Sequence, residues 1–389
     1  MRKIAIISKQ MVMGGIEKCL INMLENYSSM AHVTLFLMSD GGELRKQIPQ
    51  NVEVKIIPDF ELSSKQRIVN AMGKGKIKES IRIFKGLYKI KKETVFFEQC
   101  KLLSNILPNI DEEYDIAISY SAPISFPVIY TLNNIKAKEK YLWIHTDLER
   151  MGISLYEARK EYFEYDKIYC VSKYIKEQLE RMEPELLGKV FVGYNSINVD
   201  TIRKLALQPC EKRFEEQKHK IRIVTVGRLC SQKGQEWVLD IADLLKESAM
   251  EFCWFLVGDG ELKEKLVQQI SERNLQENVI LLGNQENPYP YMYGCDIYVQ
   301  PSKYEGFCTT TNEAKILKKV VITTDVSGAR EQFVNRENGI IVPIEKKAVF
   351  DAILEVINNK QLRECILINL AENKNVNEMI YQEIFGEEI

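Results

Sequence analysis

Short apolar segments alternate with amphipathic segments along almost the whole chain, which has 389 residues. The apolar segments have the length of buried strands, and the segments between them have the periodicity of helices. This alternation predicts an α/β fold with parallel sheets. One series of candidate strands lies at 3–8, 32–38, 52–57, 114–120, 140–145, 167–172 and 189–194, and a second lies at 221–227, 251–260, 278–283, 295–302, 319–325 and 338–343.

A polar, charge-dense stretch separates the two series. Residues 200–220 include PCEKRFEEQKHK, which is typical of a linker or a surface segment. We therefore predict two tandem Rossmann-like, doubly wound domains at 1–199 and 200–371, followed by a helical tail at 372–389. Ligands of open α/β sheets bind beyond the carboxyl ends of the strands, so we expect the chemistry in a central cleft that both domains face.

Composition argues against several classes of protein. Hydrophobic residues make up 45% of the chain and charged residues 28%, which is ordinary for a globular protein. No apolar run approaches the roughly 18 residues of a membrane span. Nine cysteines without a CxxC pair favour reduced thiols, so we expect a cytoplasmic protein. The net charge of -2 argues against nucleic-acid binding through a global polybasic surface.

The segment EGFCTTTNEAKIL, which begins at Glu305, is the most informative for chemistry. It follows a candidate strand, and Thr309, Thr310 and Thr311 are natural caps for a helix that then carries Glu313. Backbone N–H groups at such a helix start form a site for phosphate. The two carboxylates suit hydrogen bonds from sugar hydroxyls, and the alternative is a pair of solvated surface acids.

The segment VTVGRLCSQKG places two cations in a loop between a strand and a helix. Arg228 can bind a diphosphate through its planar guanidinium, and Lys233 can bind it as a compact charge. Both would offset the negative charge that grows on a leaving nucleoside diphosphate. The alternative is a solvated basic surface.

Two further segments carry weaker signals. Gly14 and Gly15 follow the first strand, where they allow the backbone to approach a ligand, although they form no GxGxxG motif and a simple turn is the alternative. His145 ends a candidate strand with Asp147 two residues later. A histidine at a strand end also serves structural roles, so its interpretation depends on the other segments.

Together these segments resemble the retaining glycosyltransferases of the GT-B fold, specifically family 4 of that class. Glu305 and Glu313 reproduce the E-x7-E pattern of that family. The segment at 283–307 is similar to the subgroup that builds bacterial capsular and exopolysaccharide repeat units. The resemblance covers nearly the whole chain through GG at 14–15, WIHTD at 143–147, VSKYIKEQL at 171–179, GRLCSQKG at 227–234, VGDGELKEKL at 257–266 and EGFCTTTNEA at 305–314.

The resemblance implies transfer of a sugar from a nucleotide-diphosphate sugar, with UDP as the default nucleotide, to a saccharide or polyprenyl-linked acceptor. It implies that Arg228 and Lys233 hold the diphosphate, that Glu313 binds the ribose and that Glu305 contacts the donor sugar. His145 would reach that sugar from the N-terminal, acceptor-side domain, to which the C-terminal tail returns. The family needs no metal, and the sequence has no D-x-D motif.

The same resemblance implies roles for residues around the helix start and the first turn. Gly14 and Gly15 would lie near the diphosphate or the acceptor. The resemblance also implies front-face retention without a covalent intermediate, because no carboxylate is obviously placed as a nucleophile. Backbone N–H groups would complete the donor cradle around Gly306, Phe307, Cys308, Thr309 and Thr310.

Three residues depart from the family pattern. Cys308 stands where Gly or Pro is common, and Lys318 and Val320 replace the usual Gly and Pro before the next strand. These departures leave the charged residues intact and bear on the shape of the donor-sugar pocket.

One stretch is strongly basic. From Lys65 to Lys92 there are ten basic residues and one acid, Glu79, which gives a net charge of +9. Its apolar residues have helical spacing, so the segment suits an anionic membrane surface, and the alternative is a solvated helix docked on the N-terminal sheet. The apolar residues in question are Ile77, Ile81, Phe84, Leu87 and Tyr88.

Two other functions compete with sugar transfer. One is hydrolysis or epimerisation of a nucleotide sugar on the same fold, which consumes donor without acceptor. The other is a catalytically silent partner subunit of a glycosyltransferase. The presence of both cations and both acids argues against a silent partner.

Overall fold

The computed structural model describes residues 1–73, 77–370 and 378–386. Lys74 and Lys76 of the basic stretch, residue 371 of the second predicted domain, and 372–377 and 387–389 of the predicted tail lie outside the described residues. The described residues form two compact units. Residues 1–197 and 378–386 form one, the N-terminal unit, and residues 198–370 form the other, the C-terminal unit.

The N-terminal unit is built on a seven-stranded sheet in which every neighbouring pair is parallel. The order is β3-β2-β1-β4-β5-β6-β7, so the direction of winding reverses between β1 and β4. The strands are β1 (Lys3–Ser8), β2 (His32–Leu37), β3 (Glu53–Ile56), β4 (Ile110–Ser119), β5 (Ile135–Ile144), β6 (Lys167–Cys170) and β7 (Val190–Val192).

Helices connect these strands, as parallel pairing requires. In α1, buried residues such as Cys19, Leu20, Met23 and Leu24 recur at helical spacing and face the core. The helices are α1 (Gly15–Tyr27), α2 (Ser64–Gly73), α3 (Ile77–Lys92), α4 (Phe96–Ile106), α5 (Phe126–Asn134), α6 (Arg159–Phe163) and α7 (Lys173–Met182).

The C-terminal unit has a six-stranded parallel sheet of the same kind. Its order is β10-β9-β8-β11-β12-β13, which places the reversal between β8 and β11. β9 reads FCWFLV and is buried along its whole length, as a central parallel strand should be. The strands are β8 (Ile221–Val226), β9 (Phe252–Val257), β10 (Val279–Gly283), β11 (Ile297–Gln300), β12 (Val320–Thr324) and β13 (Ile340–Val342).

Helices of this unit bury apolar residues at a spacing of three and four. In α10, Val238, Leu239, Ile241, Ala242 and Leu245 join the core that forms around β9. The helices are α8 (Val199–Ala206), α9 (Lys212–Glu215), α10 (Gln235–Glu247), α11 (Lys263–Glu272), α12 (Tyr289–Gly294), α13 (Thr309–Ile316), α14 (Ala329–Gln332), α15 (Lys346–Asn358) and α16 (Lys360–Leu370).

The last helix, α17 (Glu378–Phe385), packs on the N-terminal unit. The ring of Tyr381 stacks on Tyr27 at 4.7 Å and on Trp143 at 5.8 Å between centroids. Its hydroxyl donates a hydrogen bond to the carbonyl oxygen of Tyr194 at 2.6 Å.

The predicted fold of two parallel, doubly wound sheets is confirmed, and each candidate strand is present. Residues 200–220, the expected linker or surface segment, are mostly exposed or half-buried and contain α8 and α9. Phe214 of α9 is fully buried and packs on Phe255 of β9, so one aromatic anchors an otherwise polar stretch. None of the described helices has the length and apolar character needed to span a bilayer.

Candidate active site

The loops that follow β8 and β11 meet where the winding of the C-terminal sheet reverses. In doubly wound sheets this reversal opens a crevice at the carboxyl ends of the strands, and ligands bind there. Arg228 and Lys233 lie in the loop after β8, and Glu305 lies in the loop after β11. The topology therefore brings together residues that are 72 or more positions apart in sequence.

Lys233 and Glu305 form a buried ion pair. The ammonium nitrogen Nζ of Lys233 lies 2.7 Å from Oε1 of Glu305, and the two side chains are 18% and 7% exposed. Burial by itself lowers the pKa of Lys233, but the adjacent Glu305 carboxylate more than offsets this, and the net pKa is raised. Lys233 is therefore a fixed cation at neutral pH and cannot act as a proton acceptor.

A chain of buried polar side chains holds Glu305 from the other side. The hydroxyl of Ser302 donates to Oε1 of Glu305 at 2.6 Å, and Nε2 of Gln300 donates to that hydroxyl oxygen at 3.0 Å. The hydroxyl of Tyr298 donates to Oε1 of Gln300 at 2.9 Å. Sequence reasoning missed these three residues, although polar Gln300 and Ser302 at the end of a buried strand were a usable signal.

Hydrogen bonds join the two loops directly. The backbone nitrogen of Lys303 donates to the carbonyl oxygen of Gln232 at 2.8 Å, and Nε2 of Gln232 donates to the carbonyl oxygen of Tyr304 at 3.1 Å. Gly234 has φ +70, and a Cβ there would collide with the carbonyl oxygen of Pro301. A glycine is needed at this position because the two backbones approach so closely.

Arg228 is exposed. Its backbone is fixed by Gln235, a residue that the sequence analysis did not predict to be part of the site. Nε2 of Gln235, the first residue of α10, donates to the carbonyl oxygen of Arg228 at 2.9 Å. Gly258 of the VGDG motif approaches the same loop, and a Cβ there would collide with the carbonyl oxygen of Gly227. The guanidinium thus projects from an ordered backbone.

Helix α13 starts at Thr309 and carries Glu313, as predicted. The threonines do not cap it, however. Cys308 is the N-cap and makes no side-chain cap hydrogen bond, and the hydroxyl of Thr311 instead donates to the carbonyl oxygen of Cys308 at 2.7 Å. The expected caps lie inside the first turn, where backbone N–H groups lack intrahelical acceptors.

Glu313 is buried in α13 just past the first turn. Its Oε1 accepts a hydrogen bond at 3.1 Å from the hydroxyl of Tyr289, the first residue of α12. Tyr289 is a second partner that sequence reasoning missed, since it lies 24 residues away from Glu313 in sequence.

The remaining cradle residues lie in the turn between Glu305 and α13. Gly306 and Cys308 are buried, and the ring of Phe307 fills the space that a Cβ on Gly328 would need. Sγ of Cys308 lies 3.3 Å from the hydroxyl oxygen of Thr310. Burial and the nearby Glu305 carboxylate raise the pKa of Cys308, so its thiol stays protonated at neutral pH.

His145 lies in the N-terminal unit, directly after β5. Burial lowers its pKa to about 3, although the Tyr120 backbone and the Asn195 side chain oppose the shift. Among the described residues, neither ring nitrogen has a hydrogen-bond partner. His145 is therefore a neutral imidazole at neutral pH.

The turn after His145 is ordered by α7. Nε2 of Gln178 donates to Oδ1 of Asp147 at 2.8 Å, and the backbone nitrogen of Leu148 donates to Oε1 of Gln178 at 2.8 Å. Ser172 caps α7 by accepting from the backbone nitrogen of Ile175 at 3.2 Å. The VSKYIKEQL motif thus shapes the WIHTD turn, and Asp147 has a structural role.

Gly14 and Gly15 begin α1, after the first strand and beside the reversal of the N-terminal sheet. Gly14 is extended, with φ -158, so its backbone does not need a glycine. The carboxylate of Glu17 folds back into the space that a Cβ on Gly14 would need. This acid already faces the helix start, a placement that opposes an anionic ligand there.

The structure therefore brings Lys233, Glu305 and the start of α13 together in the C-terminal unit, with Arg228 in the same loop as Lys233. His145, Gly14 and Gly15 belong to the N-terminal unit. Within residues 1–73, 77–370 and 378–386, no three His, Cys, Asp or Glu side chains are grouped to hold a metal ion.

Comparison with known proteins identifies the family of the domain that contains this site. Residues 210–372 match the family described as "Glycosyl transferases group 1". They form a group 1 glycosyltransferase domain. The Lys233–Glu305 pair and Glu313 all lie inside this glycosyltransferase domain.

Two curated relatives are glycosyltransferases. The chain is 32% identical over 178 residues to an N-acetylgalactosaminyltransferase of Campylobacter jejuni that is named for a diphospho-undecaprenol substrate, covering 45% of this chain and 46% of the relative. It is 28% identical over 230 residues to a capsular polysaccharide glycosyltransferase of Staphylococcus aureus, covering 56% and 60%. The chain thus spans about half the length of these relatives.

A solved structure matches the fold of the whole chain. HepE of Anabaena, crystallised with UDP and glucose, superposes with a TM-score of 0.69 over 99% of this chain and 96% of that one, at 18% identity. At that identity the likeness establishes the fold, which is GT-B.

Proposed function

We propose that this protein is a retaining family 4 glycosyltransferase that moves a sugar from a nucleotide-diphosphate sugar to a saccharide or lipid-linked saccharide during surface polysaccharide synthesis. UDP is the proposed nucleotide. The observation that carries the proposal is the buried Lys233–Glu305 pair at the reversal point of a group 1 domain. The names of the relatives and the UDP and glucose bound to HepE support the donor and acceptor classes.

The proposed donor site uses the cations for the diphosphate. When the bond between the sugar and the diphosphate breaks, negative charge grows on the leaving phosphate oxygens. Lys233, whose raised pKa keeps it charged, and the exposed guanidinium of Arg228 would stabilise that charge, together with the first-turn N–H groups of α13. Because these groups are held in place beforehand, little reorganisation is needed during the reaction.

The acids have the complementary role in the proposal. Glu313 accepts hydrogen bonds from the ribose, and Glu305 accepts them from the donor sugar. Both hydrogen bonds that Glu305 makes among the described residues go to Oε1, which leaves Oε2 for a ligand. With Oε1 held by Lys233 and Ser302, Glu305 is positioned as a binding group.

The N-terminal residues 1–199 are proposed to take the acceptor. His145 is a proposed contact to the donor sugar, and its neutral imidazole suits a hydroxyl partner better than a phosphate. Gly14 and Gly15 remain proposed neighbours of the acceptor. Retention at the front face, and activity without a metal, are predictions that follow from the family resemblance and are open to direct measurement.

Turnover with purified protein tests the proposal. UDP release is measured from a panel of UDP-sugars with and without an undecaprenyl-diphosphate-linked monosaccharide, and the anomeric configuration of the product is assigned by NMR. We expect release that depends on acceptor, retained configuration, and loss of at least about 100-fold in turnover in Glu305→Ala and Lys233→Ala.

Other outcomes would favour the competing functions. Donor consumption that does not depend on any acceptor would indicate a hydrolase or epimerase. Tight nucleotide-sugar binding with no turnover in the wild-type protein would indicate a silent partner subunit. An inverted product would contradict the proposed stereochemistry while leaving the donor site in place.

A further inference from the structure

Helix α3 of the N-terminal unit has an inner side that is covered by protein. Ile83 is buried there, and Leu87 and Ile90 are half-buried around it. They pack with residues of α2 and α4, including Ala71 and Ile106. Leu87, which the sequence pattern placed on the same apolar face as Ile77, therefore belongs to the inner side.

A second apolar row lies on the outer side of α3. Ile77, Ile81, Phe84 and Tyr88 are 71%, 51%, 63% and 56% exposed. At about 100° per residue, these four positions fall within about 60° of one another around the helix axis. Four large apolar side chains in one exposed stripe are unusual for a surface that faces only water.

Cations border the outer row. Lys78, Lys85, Lys89 and Lys92 are exposed, and helical spacing places them beside the row on the side away from the core. Nζ of Lys92 lies 4.5 Å from the centroid of the Tyr88 ring. In the part of the chain that the structure describes, Lys78, Lys85 and Lys89 make no ion pair, so no acidic side chain described there neutralises their charge.

We propose that this outer side of α3 docks the protein on an anionic phospholipid bilayer. The row from Ile77 to Tyr88 would enter the boundary between head groups and acyl chains, and the bordering lysines would lie at the level of the lipid phosphates. The helix would lie along the surface and would not cross the membrane.

The combination of features favours lipid over other partners. A nucleic acid would use the cations but not a row of four aliphatic and aromatic side chains. Two copies of the chain meeting symmetrically through this side would place two sets of lysines against each other. An anionic bilayer satisfies both the apolar row and the cations at once.

This inference deepens the proposed function, and it rests on that function for its reason: a lipid-linked acceptor is reached at a membrane surface. Its test measures vesicle binding and not sugar transfer. Transfer could therefore fail while docking succeeds, and docking could fail while transfer to a soluble acceptor succeeds.

Vesicle co-sedimentation tests the docking side. Wild-type protein is mixed with vesicles of phosphatidylglycerol and phosphatidylcholine, or of phosphatidylcholine alone, at low and high salt. We expect binding to the anionic vesicles that weakens with salt. Ile81→Ser with Phe84→Ser, and separately Lys85→Glu with Lys89→Glu, should each weaken it by about tenfold or more.

Matched substitutions elsewhere serve as controls. Ile368→Ser and Lys360→Glu change exposed residues of α16 in the C-terminal unit and should leave vesicle binding unchanged. Circular dichroism checks that every variant is folded, as expected for exposed positions. The proposal is overturned if wild-type protein does not bind anionic vesicles, if the controls lose binding equally, or if the α3 variants instead abolish self-association or RNA binding.

Discussion

Ser302 donates its hydroxyl hydrogen to Oε1 of Glu305 across 2.6 Å, at the same oxygen that accepts from Lys233. Ser302 is fully buried, and its backbone carbonyl oxygen accepts from the hydroxyl of Thr324 at 2.5 Å. The serine is therefore fixed by β12 and in turn fixes the carboxylate. It is a positioning residue for the proposed contact between Glu305 and the donor sugar.

Removing the Ser302 hydroxyl should weaken binding of a UDP-sugar more than binding of UDP. In Ser302→Ala, Glu305 keeps its ion pair with Lys233 but loses its second anchor, so the carboxylate is less well oriented. We expect the Kd of a UDP-sugar to rise about tenfold, the usual size for a lost hydrogen bond to a charged group, and the Kd of UDP to change less than about threefold. Isothermal titration calorimetry measures both.

A neighbouring substitution controls for general loosening of the loop. Ser231→Ala removes a hydroxyl that accepts from Nζ of Lys303 at 3.0 Å but does not touch Glu305. Ser231→Ala should leave the ratio of the Kd of the UDP-sugar to the Kd of UDP unchanged. Equal weakening of UDP and UDP-sugar by Ser302→Ala would contradict the positioning role.

His145 should make the stability of the N-terminal unit depend on pH. Its pKa is about 3 in the folded protein, whereas the ordinary value is 6.5. As the pH falls below about 6.5, His145 becomes protonated in the unfolded chain but stays neutral in the folded protein. The free energy of unfolding therefore falls by about 1.4 kcal/mol per pH unit until the folded pKa is reached.

Replacing the histidine isolates this contribution. Between pH 7.5 and pH 5, wild-type protein should lose about 2 kcal/mol more stability than His145→Gln. Only the wild type has a histidine here that binds a proton on unfolding. Urea unfolding followed through hydrogen exchange of the β5 amides reports on this unit. Identical pH dependence in both proteins would show that folding does not lower the pKa of His145.

Much of the fold and part of the site follow from local sequence. Each strand is a short apolar segment, and such a segment is most stable as a buried strand. Glu305 and Glu313 are recognisable because they belong to one contiguous segment. The anchors of these residues are not predictable in this way. Ser302 and Tyr289 become partners of the acids only when strand order and helix packing place them there. The polar character of Ser302 at the end of a buried strand is a local signal, but it does not identify Glu305 as the partner.

Two local details could not be read from the sequence, and they have a common physical cause. Threonine has a strong preference for N-cap positions, yet Cys308 takes that place in α13, because the turn after Glu305 fixes where the helix begins. The polar composition of 200–220 indicated a linker or a surface segment, and buried Phe214 holds helix α9 within it. Tertiary contacts overrode local preference in both segments.

Lys318 occupies a conformation that favours glycine. Its φ is +55, directly after α13, where its backbone nitrogen donates to the carbonyl oxygen of Lys315 at 2.9 Å. A Cβ in the left-handed region is costly, and this is the position where the family pattern has glycine. Lys318→Gly should raise the free energy of unfolding by about 1 kcal/mol.

A lysine-to-glycine substitution inside a helix should change the free energy of unfolding in the opposite direction. Lys347 is exposed in α15, so Lys347→Gly should lower the free energy of unfolding by about 1 kcal/mol. Chemical unfolding of both variants compares them. A loss of stability in Lys318→Gly would mean that the lysine side chain contributes more than its backbone strain costs.

Calorimetric titration of UDP tests most directly whether the loops after β8 and β11 bind a nucleoside diphosphate. We compare wild-type protein with Lys233→Met and with Lys346→Met, which removes a lysine paired with Asp240 at 2.6 Å elsewhere in the same unit. Lys233→Met should weaken UDP binding by about tenfold or more, and Lys346→Met should leave it unchanged. Unchanged UDP affinity in Lys233→Met, or no UDP binding by the wild-type protein, would contradict this assignment of the site.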